Sequence, residues 1–203
     1  GYKPMHLCPR CETTLSNFEV TQGYKDITDI SVYVKFKLSE HSSRQIWGTS
    51  ENIYLIAWTT TPWTLPGNVA LAVGKDIKYV YIKIKDTDAG DAQFILAKDR
   101  IENVLKGKEY EIMKEFSGND LVGSSYAAPF DYYQKDNSLE NHERGWKVCA
   151  GEFVTLDAGT GIVHIAPAFG EDDMKLGQSE KLPFVQHVKT DGHFKEEVTH
   201  FAG

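Results

Sequence analysis

The chain has 203 residues, of which 41% are hydrophobic and 25% are charged, and its formal net charge is −7. These values are typical of a globular protein with one large domain or two small ones. The negative charge argues against a broad electrostatic grip on nucleic acid. The longest apolar run, residues 53–58, is far shorter than the roughly 20 residues that span a bilayer, which excludes a transmembrane helix.

Short strands separated by turn residues dominate the predicted elements. Residues 1–26 are predicted to form an irregular connector. Alternating apolar residues over 30–38 predict a half-buried strand, and the apolar run 52–60 predicts a strand buried on both faces. Further strands are predicted at residues 69–73, 79–85, 93–97, 110–116, 153–156, 160–165 and 184–188.

Few helices are predicted. Residues 99–105 form a candidate short helix, and residues 171–180 form another, whose first turn carries three acids that suit the positive end of the helix dipole. The polar stretch 131–146 is predicted to be an excursion with some helix. Many short strands with few helices indicate a mainly β fold, an antiparallel sheet or barrel with helical additions, over residues 27–203.

The three cysteines carry two different predictions. Cys149 stands alone and is predicted to be a small core residue. Cys8 and Cys11 form a C-x-x-C pair, whose spacing suits half of a tetrahedral zinc site, although no second C-x-x-C exists in the chain. A solvated turn with two free thiols is the alternative interpretation.

Most common catalytic motifs are absent from the sequence. There is no nucleophile elbow, no metalloprotease helix and no Walker loop, and the G-T-G at residues 159–161 lacks the third glycine of a dinucleotide loop. Two stretches remain, WTTTPWTLPGN at residues 58–68 and GTGIVHIAPAFGEDD at residues 159–173. Each stretch also has a purely structural interpretation. The first is typical of a strand rich in β-branched residues, and the second of a buried, hydrogen-bonded histidine followed by a helix that is capped by acids.

Together, these two stretches resemble the editing domain of class I aminoacyl-tRNA synthetases, in the form carried by isoleucyl-tRNA synthetases. The valyl and leucyl relatives typically have arginine, proline, an acid and threonine at residues 61–64, and the valyl enzymes usually have lysine at position 164. The resemblance extends from about residue 27 to the end, and the cysteine pair also looks like family sequence. The nucleotide-binding signatures HIGH and KMSKS are missing, which implies an editing insertion that cannot make aminoacyl-adenylate by itself.

The resemblance implies hydrolytic proofreading. A site that accepts isoleucine rejects valine by only about 1–3 kcal/mol, and isoleucyl-tRNA synthetase is itself the standard example of this limit and of its remedy by a second, tighter site. The implied reaction is deacylation of mischarged Val-tRNA(Ile), with valyl-adenylate as a further candidate substrate, by direct attack of a positioned water. A valyl- or leucyl-type editing domain, or a non-catalytic nucleotide- or protein-binding β-domain, are the alternatives.

The resemblance also implies roles for individual residues. It assigns catalysis to Thr59, Thr60, Thr61, His164 and Asp173. It assigns substrate binding to the same five residues and to Trp63, Thr64, Asn68 and Gly161. Asp173 would meet the cationic α-amino group, with Asp172 left open as the alternative. His164 would exclude the extra methyl of isoleucine by bulk, and a general-base role for it is the alternative.

The implied partners are the 3′-terminal aminoacyl-adenosine of tRNA(Ile) and the rest of a synthetase chain, with no membrane contact. No cofactor is expected for editing; zinc, ATP and Mg²⁺ are expected only in the full-length synthetase, where a second C-x-x-C would complete the site of Cys8 and Cys11. The piece is expected to be monomeric and cytoplasmic.

Overall fold

The computed structural model describes residues 4–48, 52–84 and 92–202, and strands outnumber helices within them. The strands are β1 (His6–Cys8), β2 (Thr13–Leu15), β3 (Val32–Leu38), β4 (Ile53–Thr59), β5 (Ala70–Val73), β6 (Lys78–Ile84), β7 (Ala92–Ala97), β8 (Tyr110–Ser117), β9 (Tyr126–Ala127), β10 (Lys147–Ala150) and β11 (Ile162–Ile165). The α-helices are α1 (Asn17–Gln22), α2 (Glu40–Trp47), α3 (Ile101–Leu105) and α4 (Glu171–Glu180). Short 3-10 helices occupy Pro62–Gly67, Lys98–Arg100, Gly118–Asp120 and His142–Arg144. The predicted mainly β class with helical additions is confirmed.

Two sheets form the body of the fold. The larger has the strand order β8-β6-β7-β4-β3-β9, and the smaller has the order β10-β5-β11. Most neighbours are antiparallel, as predicted, but β4 with β7 and β5 with β10 are parallel pairs. Parallel pairs need long connections between their strands, and the alternation patterns did not reveal which strands would pair in this way.

The two sheets share one large hydrophobic core, and a smaller apolar cluster lies between β6, β7 and α3. The backbone N–H of Tyr126 in β9 donates to the carbonyl of Trp146, 3.1 Å away, and a bridge between Ser125 and Lys147 continues the contact towards β10. At the other end, the N–H of Ala97 donates to the carbonyl of Thr160 over 2.8 Å, and β11 packs against β4. The carboxyl end of β4 and the segment entering β11 therefore lie side by side.

The best-predicted strands are those with clear burial patterns. In β3, Phe36 and Leu38 are buried while Lys35 and Lys37 are exposed, which is the predicted alternation. The extension of this pattern to Ile30 was wrong, because the strand begins at Val32 and Ile30 is 70% exposed. β4 lies between β3 and β7, which explains its continuous apolar run.

Other predictions of local structure need correction. The described part of the predicted connector, residues 4–26, is not irregular throughout, since it contains the β1-β2 hairpin and α1. The capping box of Ser16 and Glu19 at the start of α1 is a sequence signal that was overlooked. Helix α2 was also missed, although Ser39 caps its first turn and Gly48 ends it with a φ of 68°.

Two predicted strands near the site are wrong. Residues 153–156 form no strand, because the segment turns at Gly151, whose carbonyl accepts from the N–H of Val154, and then follows the wall of a cavity. Residues 184–188 contribute only a single bridge between Val188 and Phe194, around a turn that contains Gly192. The stretch 131–146 has turns and one 3-10 helix, and residue 85 lies outside the described residues. In the described parts of the chain, no helix combines the length and the apolarity needed to cross a membrane.

Candidate functional site

The two motif segments of the sequence, residues 58–68 and 159–173, face each other across one cavity of about 440 Å³. Most of the predicted site residues line it, namely Thr59, Thr60, Thr61, Thr64, Gly161, His164 and Asp173. The contact between β4 and β11 brings them together although about 100 residues of chain separate them. The predicted meeting of the threonine segment with Asp173 in a shared hollow is therefore present in the structure.

The threonine segment turns sharply where β4 ends. The hydroxyl of Thr59 accepts a hydrogen bond from the backbone N–H of Thr61 over 3.0 Å, which bends the chain out of the sheet. Pro62 then opens the 3-10 helix Pro62–Gly67, with its φ already suited to a helical turn. Thr59 is buried at this bend, whereas Thr60 and Thr61 are exposed at the mouth of the cavity.

His164 forms part of the rear of the cavity and is 8% exposed. Its Nε2 lies 2.8 Å from the hydroxyl of Thr64, and its Nδ1 lies 3.0 Å from the amide nitrogen of Asn68. Both ring nitrogens are therefore engaged, and only ring carbons remain to face a ligand.

The tautomer of His164 follows from its neighbours. The amide nitrogen of Asn68 also donates to the carbonyl of Ala70 over 2.9 Å, and because a carbonyl only accepts, this contact defines the orientation of the amide. The same NH₂ group must then donate to Nδ1 of His164. The proton of the neutral ring therefore resides on Nε2 and is donated to Thr64, whose own hydroxyl donates to the carbonyl of Thr61 over 2.9 Å.

Burial keeps this histidine neutral. Desolvation, together with a smaller repulsion from His187, lowers the pKa of His164 from 6.5 to about 4. A ring with both nitrogens occupied and a pKa this low has no free lone pair for a water molecule at neutral pH. The geometry thus suits a rigid wall better than a general base.

Asp173 brings a half-buried carboxylate to the cavity. It is the third residue of α4, and its Oδ1 accepts a hydrogen bond from the N–H of Ala166 over 2.7 Å. Burial raises the pKa of this carboxyl despite that hydrogen bond. The carboxylate fits closely against Gly170, because a Cβ at that position would lie 2.2 Å from Oδ2. Asp172 faces solvent instead and forms an ion pair with Lys175 at 3.6 Å.

Gly161 shapes the opposite side of the cavity. Its φ is 76°, and a Cβ there would lie 2.5 Å from that of Ala97, so both the backbone conformation and the space require glycine. The carbonyl of Gly161 accepts a hydrogen bond from the hydroxyl of Tyr79 over 2.5 Å, which ties the loop before β11 to the main sheet.

Sequence comparison shows close relatives over the whole chain, although no family model matches it. The chain is 43% identical over all 203 residues to isoleucine–tRNA ligase 2 of Bacillus cereus and to isoleucine–tRNA ligase of Clostridium tetani. It spans only 18% of the length of each of these relatives.

Comparison with solved structures supplies the fold. A leucyl-tRNA synthetase CP1 domain, GlLeuRS-CP1, superposes with a TM-score of 0.58 at 21% identity, over 74% of this chain and 60% of that one. The P. knowlesi cytosolic leucyl-tRNA synthetase editing domain also gives 0.58, at 12% identity, over 85% and 70%. The chain has the sequence of an isoleucyl-tRNA synthetase segment and the fold of an editing domain. The resemblance inferred from the two motifs is confirmed.

Two predicted site residues do not line the cavity. Trp63 was expected to form apolar wall, but it is 46% exposed and packs edge-to-face against Phe169, 5.2 Å between ring centres, and Phe169 forms the wall instead. Asn68 is buried behind His164, where it supports the ring by the hydrogen bond described above. This position fits the role that the resemblance implies for Asn68, support of the site by hydrogen bonds, although the residue does not itself line the cavity.

Several cavity residues were not found from the sequence. The loop before β11 contributes Thr155 and Asp157, and the aromatic rings of Phe153 and Phe169 close two sides. Only Asp157 could have been recognised as a cavity residue from the sequence, because it lies two residues before the first glycine of the G-T-G motif. Its carboxylate is exposed and has no hydrogen-bond partner among the described residues, in contrast to that of Asp173.

The cysteine pair lies at the tip of the β1-β2 hairpin. Hydrogen bonding from Cys11 lowers the pKa of Cys8. Within residues 4–48, 52–84 and 92–202, no group of three or more histidine, cysteine or acidic side chains is arranged to hold a metal ion. The interpretation of these two thiols as half of a zinc site stays a prediction.

Proposed function

We propose that this editing domain hydrolyses the ester of mischarged Val-tRNA(Ile) by direct attack of a positioned water. One observation carries the proposal: a half-buried carboxylate, a set of threonine hydroxyls and a hydrogen-bonded histidine wall share a single cavity of about 440 Å³. The implied ligand is an aminoacyl-adenosine, with its amino acid inside and its nucleoside near the mouth.

Asp173 is proposed to anchor the α-amino group of the substrate. An aminoacyl ester carries a cationic ammonium, and a carboxylate in a partly buried site binds it more strongly than one in water. One oxygen of Asp173 is already oriented by Ala166, so the carboxylate is held in place before the substrate arrives. Asp172 is unsuited to this role because it lies outside the cavity lining and pairs with Lys175.

His164 is proposed to reject the isoleucyl side chain. A wall excludes one extra methylene only if it does not yield, and the hydrogen bonds from Asn68 and to Thr64 hold the ring at both nitrogens. Because the wall rejects the longer side chain by steric overlap and not by a lost contact, its discrimination can exceed the about 1–3 kcal/mol that one methylene is worth in an apolar pocket.

The water and the ester are proposed to meet the threonine hydroxyls at the mouth. Thr60 and Thr61 are exposed in the cavity lining, and the hydroxyl of Thr59 lies 3.4 Å from that of Thr61. Oriented hydroxyl groups lower the barrier by positioning the water and by stabilising charge that develops on the ester. No base from the protein is assigned, because both nitrogens of His164 are occupied; a ribose hydroxyl of the substrate could take part.

The wider biological setting follows from the relatives and is part of the proposal. The 3′ end of tRNA(Ile) and the remainder of a synthetase are the proposed partners, valyl-adenylate is a second candidate substrate, and editing needs no cofactor. Zinc, ATP and Mg²⁺ belong to the full-length enzyme, and the piece itself is proposed to be a cytoplasmic monomer. Specificity of the valyl-tRNA synthetase type is disfavoured, because those enzymes usually have lysine where this chain has His164.

The first experiment measures deacylation by the full-length synthetase with Val-, Thr- and Met-charged tRNA. Val-tRNA(Ile) should be the preferred substrate, and a preference for Thr-tRNA(Val) would contradict the assigned specificity.

The second experiment tests the anchor by Asp173→Asn, with Asp172→Asn as its matched control. Loss of this half-buried charge partner should lower valyl ester hydrolysis by about 100-fold. The control, at an exposed and ion-paired carboxylate, should stay within about 2-fold, as surface pairs contribute little. Because burial raises the pKa of Asp173, removing its charge should not lower the melting temperature at pH 7. Full hydrolysis by Asp173→Asn would contradict the ammonium anchor.

A further inference from the structure

Behind the cavity, a single tyrosine completes the hydrogen-bond chain that ends at His164. Tyr126 is the first residue of β9 and is 2% exposed. Its hydroxyl donates to Oδ1 of Asn68 over 2.7 Å. Asn68 in turn contacts His164, so the tyrosine lies two hydrogen bonds away from the wall of the cavity and does not line it.

The position of Tyr126 is firmly defined by its surroundings. Its backbone N–H donates to the carbonyl of Trp146, and its ring packs edge-to-face against Phe36 with 5.4 Å between ring centres. The indole N–H of Trp146 also donates to the backbone carbonyl of Asn68 over 3.1 Å. Main-chain and side-chain atoms of Asn68 are therefore both tied to the rigid core of the two sheets.

The direction of every bond in this chain is determined by the chemistry of its members. A tyrosine hydroxyl can donate to Oδ1, whereas the NH₂ group on the other side of the Asn68 amide must face the carbonyl of Ala70 and Nδ1 of His164. Turning the amide over would set Oδ1 against the Ala70 carbonyl, two acceptors facing each other. The carbonyl of Ala70 therefore selects the one orientation that leaves the proton of His164 on Nε2, and the tyrosine hydroxyl supplies the donor that Oδ1 needs in that orientation.

We propose that Tyr126 is a positioning residue for the size selection made by His164, acting through the amide of Asn68. This inference rests on the proposed editing function and extends it to a residue that makes no contact with substrate. Without the hydroxyl, Oδ1 of Asn68 becomes a buried acceptor with no side-chain donor, which favours rearrangement of the amide. The His164 ring is then held less tightly, and the wall yields to the longer isoleucyl side chain.

The test is Tyr126→Phe in the full-length synthetase, with kcat/KM measured for hydrolysis of Val-tRNA(Ile) and of Ile-tRNA(Ile). The valine-to-isoleucine ratio should fall about 10-fold, mainly through faster hydrolysis of the isoleucyl ester, with valyl hydrolysis within about 3-fold. Tyr133→Phe is the matched control, since Tyr133 is also buried in the same core, away from the cavity, and donates to Glu197 over 3.3 Å. An equal fall of the ratio in the control would overturn the proposal.

A second arm separates positioning from a general loss of stability. In a His164→Ala background, Tyr126→Phe should leave the ratio unchanged, because the group through which it acts is gone. A further 10-fold fall in that background would show that the tyrosine acts elsewhere and would overturn the proposal.

A third arm depends neither on editing activity nor on folding of a variant. Nitrogen-15 NMR of the imidazole rings in the wild-type protein should show His164 neutral with its proton on Nε2. A proton on Nδ1 would overturn the proposal even if Val-tRNA(Ile) is hydrolysed. If the tautomer is as expected but no valyl ester is hydrolysed, the hydrogen-bond chain stands and the proposed function fails.

Discussion

The rear and the mouth of the cavity are built in opposite ways. At the rear, the side chains of His164, Thr64, Asn68 and Tyr126 are buried and joined in one directional hydrogen-bond chain. At the mouth, Thr60, Thr61 and Asp157 are exposed, and Asp157 has no partner among the described residues. A fully paired buried network is rigid and suits discrimination by shape. Exposed hydroxyl and carboxylate groups suit the binding of a polar nucleoside and a water.

The largest expected effect is a loss of folding stability at low pH. Acid should weaken the hydrogen-bond network at the rear of the cavity and leave the mouth unaffected. Because burial lowers the pKa of His164 to about 4, the unfolded state binds a proton that the folded state refuses at pH values between about 4 and the ordinary value of 6.5. The free energy of unfolding should therefore fall as pH falls through this window, with about 3 kcal/mol from this residue.

Denaturant unfolding at several pH values measures this contribution. His164→Gln, which cannot titrate, should show a pH dependence that is shallower by the same amount. The buried His187, whose pKa burial also lowers, contributes equally to both proteins and cancels. Identical slopes in the two proteins would mean that the rear wall is not the neutral network described here.

The next largest effect should come from removing the wall. His164→Ala opens space for the extra methylene, so hydrolysis of Ile-tRNA(Ile) should rise by about 50-fold, within the range that one methylene provides. Hydrolysis of Val-tRNA(Ile) should change much less. Steady-state deacylation of both substrates measures the two rates.

A matched control for the wall is His142→Ala. His142 is a partly buried histidine outside the cavity, hydrogen-bonded to the carbonyl of Gln134 at 2.8 Å. It should leave the preference for valine unchanged. If His164→Ala still fails to hydrolyse Ile-tRNA(Ile), another part of the cavity must exclude the isoleucyl side chain.

The smallest effect is expected at the mouth. Thr61→Val keeps the shape and the backbone N–H that contacts Thr59 but removes one hydroxyl, which is worth about 1 kcal/mol. Hydrolysis of the valyl ester should fall by about 10-fold at most, and the valine-to-isoleucine ratio should stay constant. Thr155→Val, which removes a hydroxyl elsewhere in the lining of the same cavity, should lower valyl hydrolysis less. An equal loss in both variants would contradict the role of the Thr61 hydroxyl, and a changed ratio in Thr61→Val would remove the distinction between a selecting rear and a reacting mouth.

Strand positions were predictable where burial imposed a pattern on consecutive residues. The alternation in β3 and the apolar run of β4 are local consequences of one or two buried faces, so they can be read without knowing the neighbours. Residues 153–156 have the composition of a strand, yet they form none. Whether a segment finds a pairing partner depends on distant chain, which a local pattern does not contain.

The candidate site likewise has features that the local sequence predicts and features that only distant parts of the chain decide. Both motifs were recognisable, and the choice between Asp172 and Asp173 was left open because adjacent residues carry the same chemistry. Only the direction of α4 decides it, by turning Asp173 inwards and Asp172 towards Lys175. The prediction that Trp63 would line the cavity was wrong for a related reason. Phe169, which is distant in sequence, packs against Trp63 and lines the cavity in its place.

By itself, the sequence determined the class of the fold, the family of the domain and the two segments that carry the chemistry, because these depend on residue types and on short-range periodicity. The tertiary structure alone decided which carboxylate enters the cavity, which nitrogen of His164 carries the proton, and that a tyrosine from β9 stands behind it. The physical reason is that hydrogen-bond direction and burial are properties of atoms brought together from distant parts of the chain.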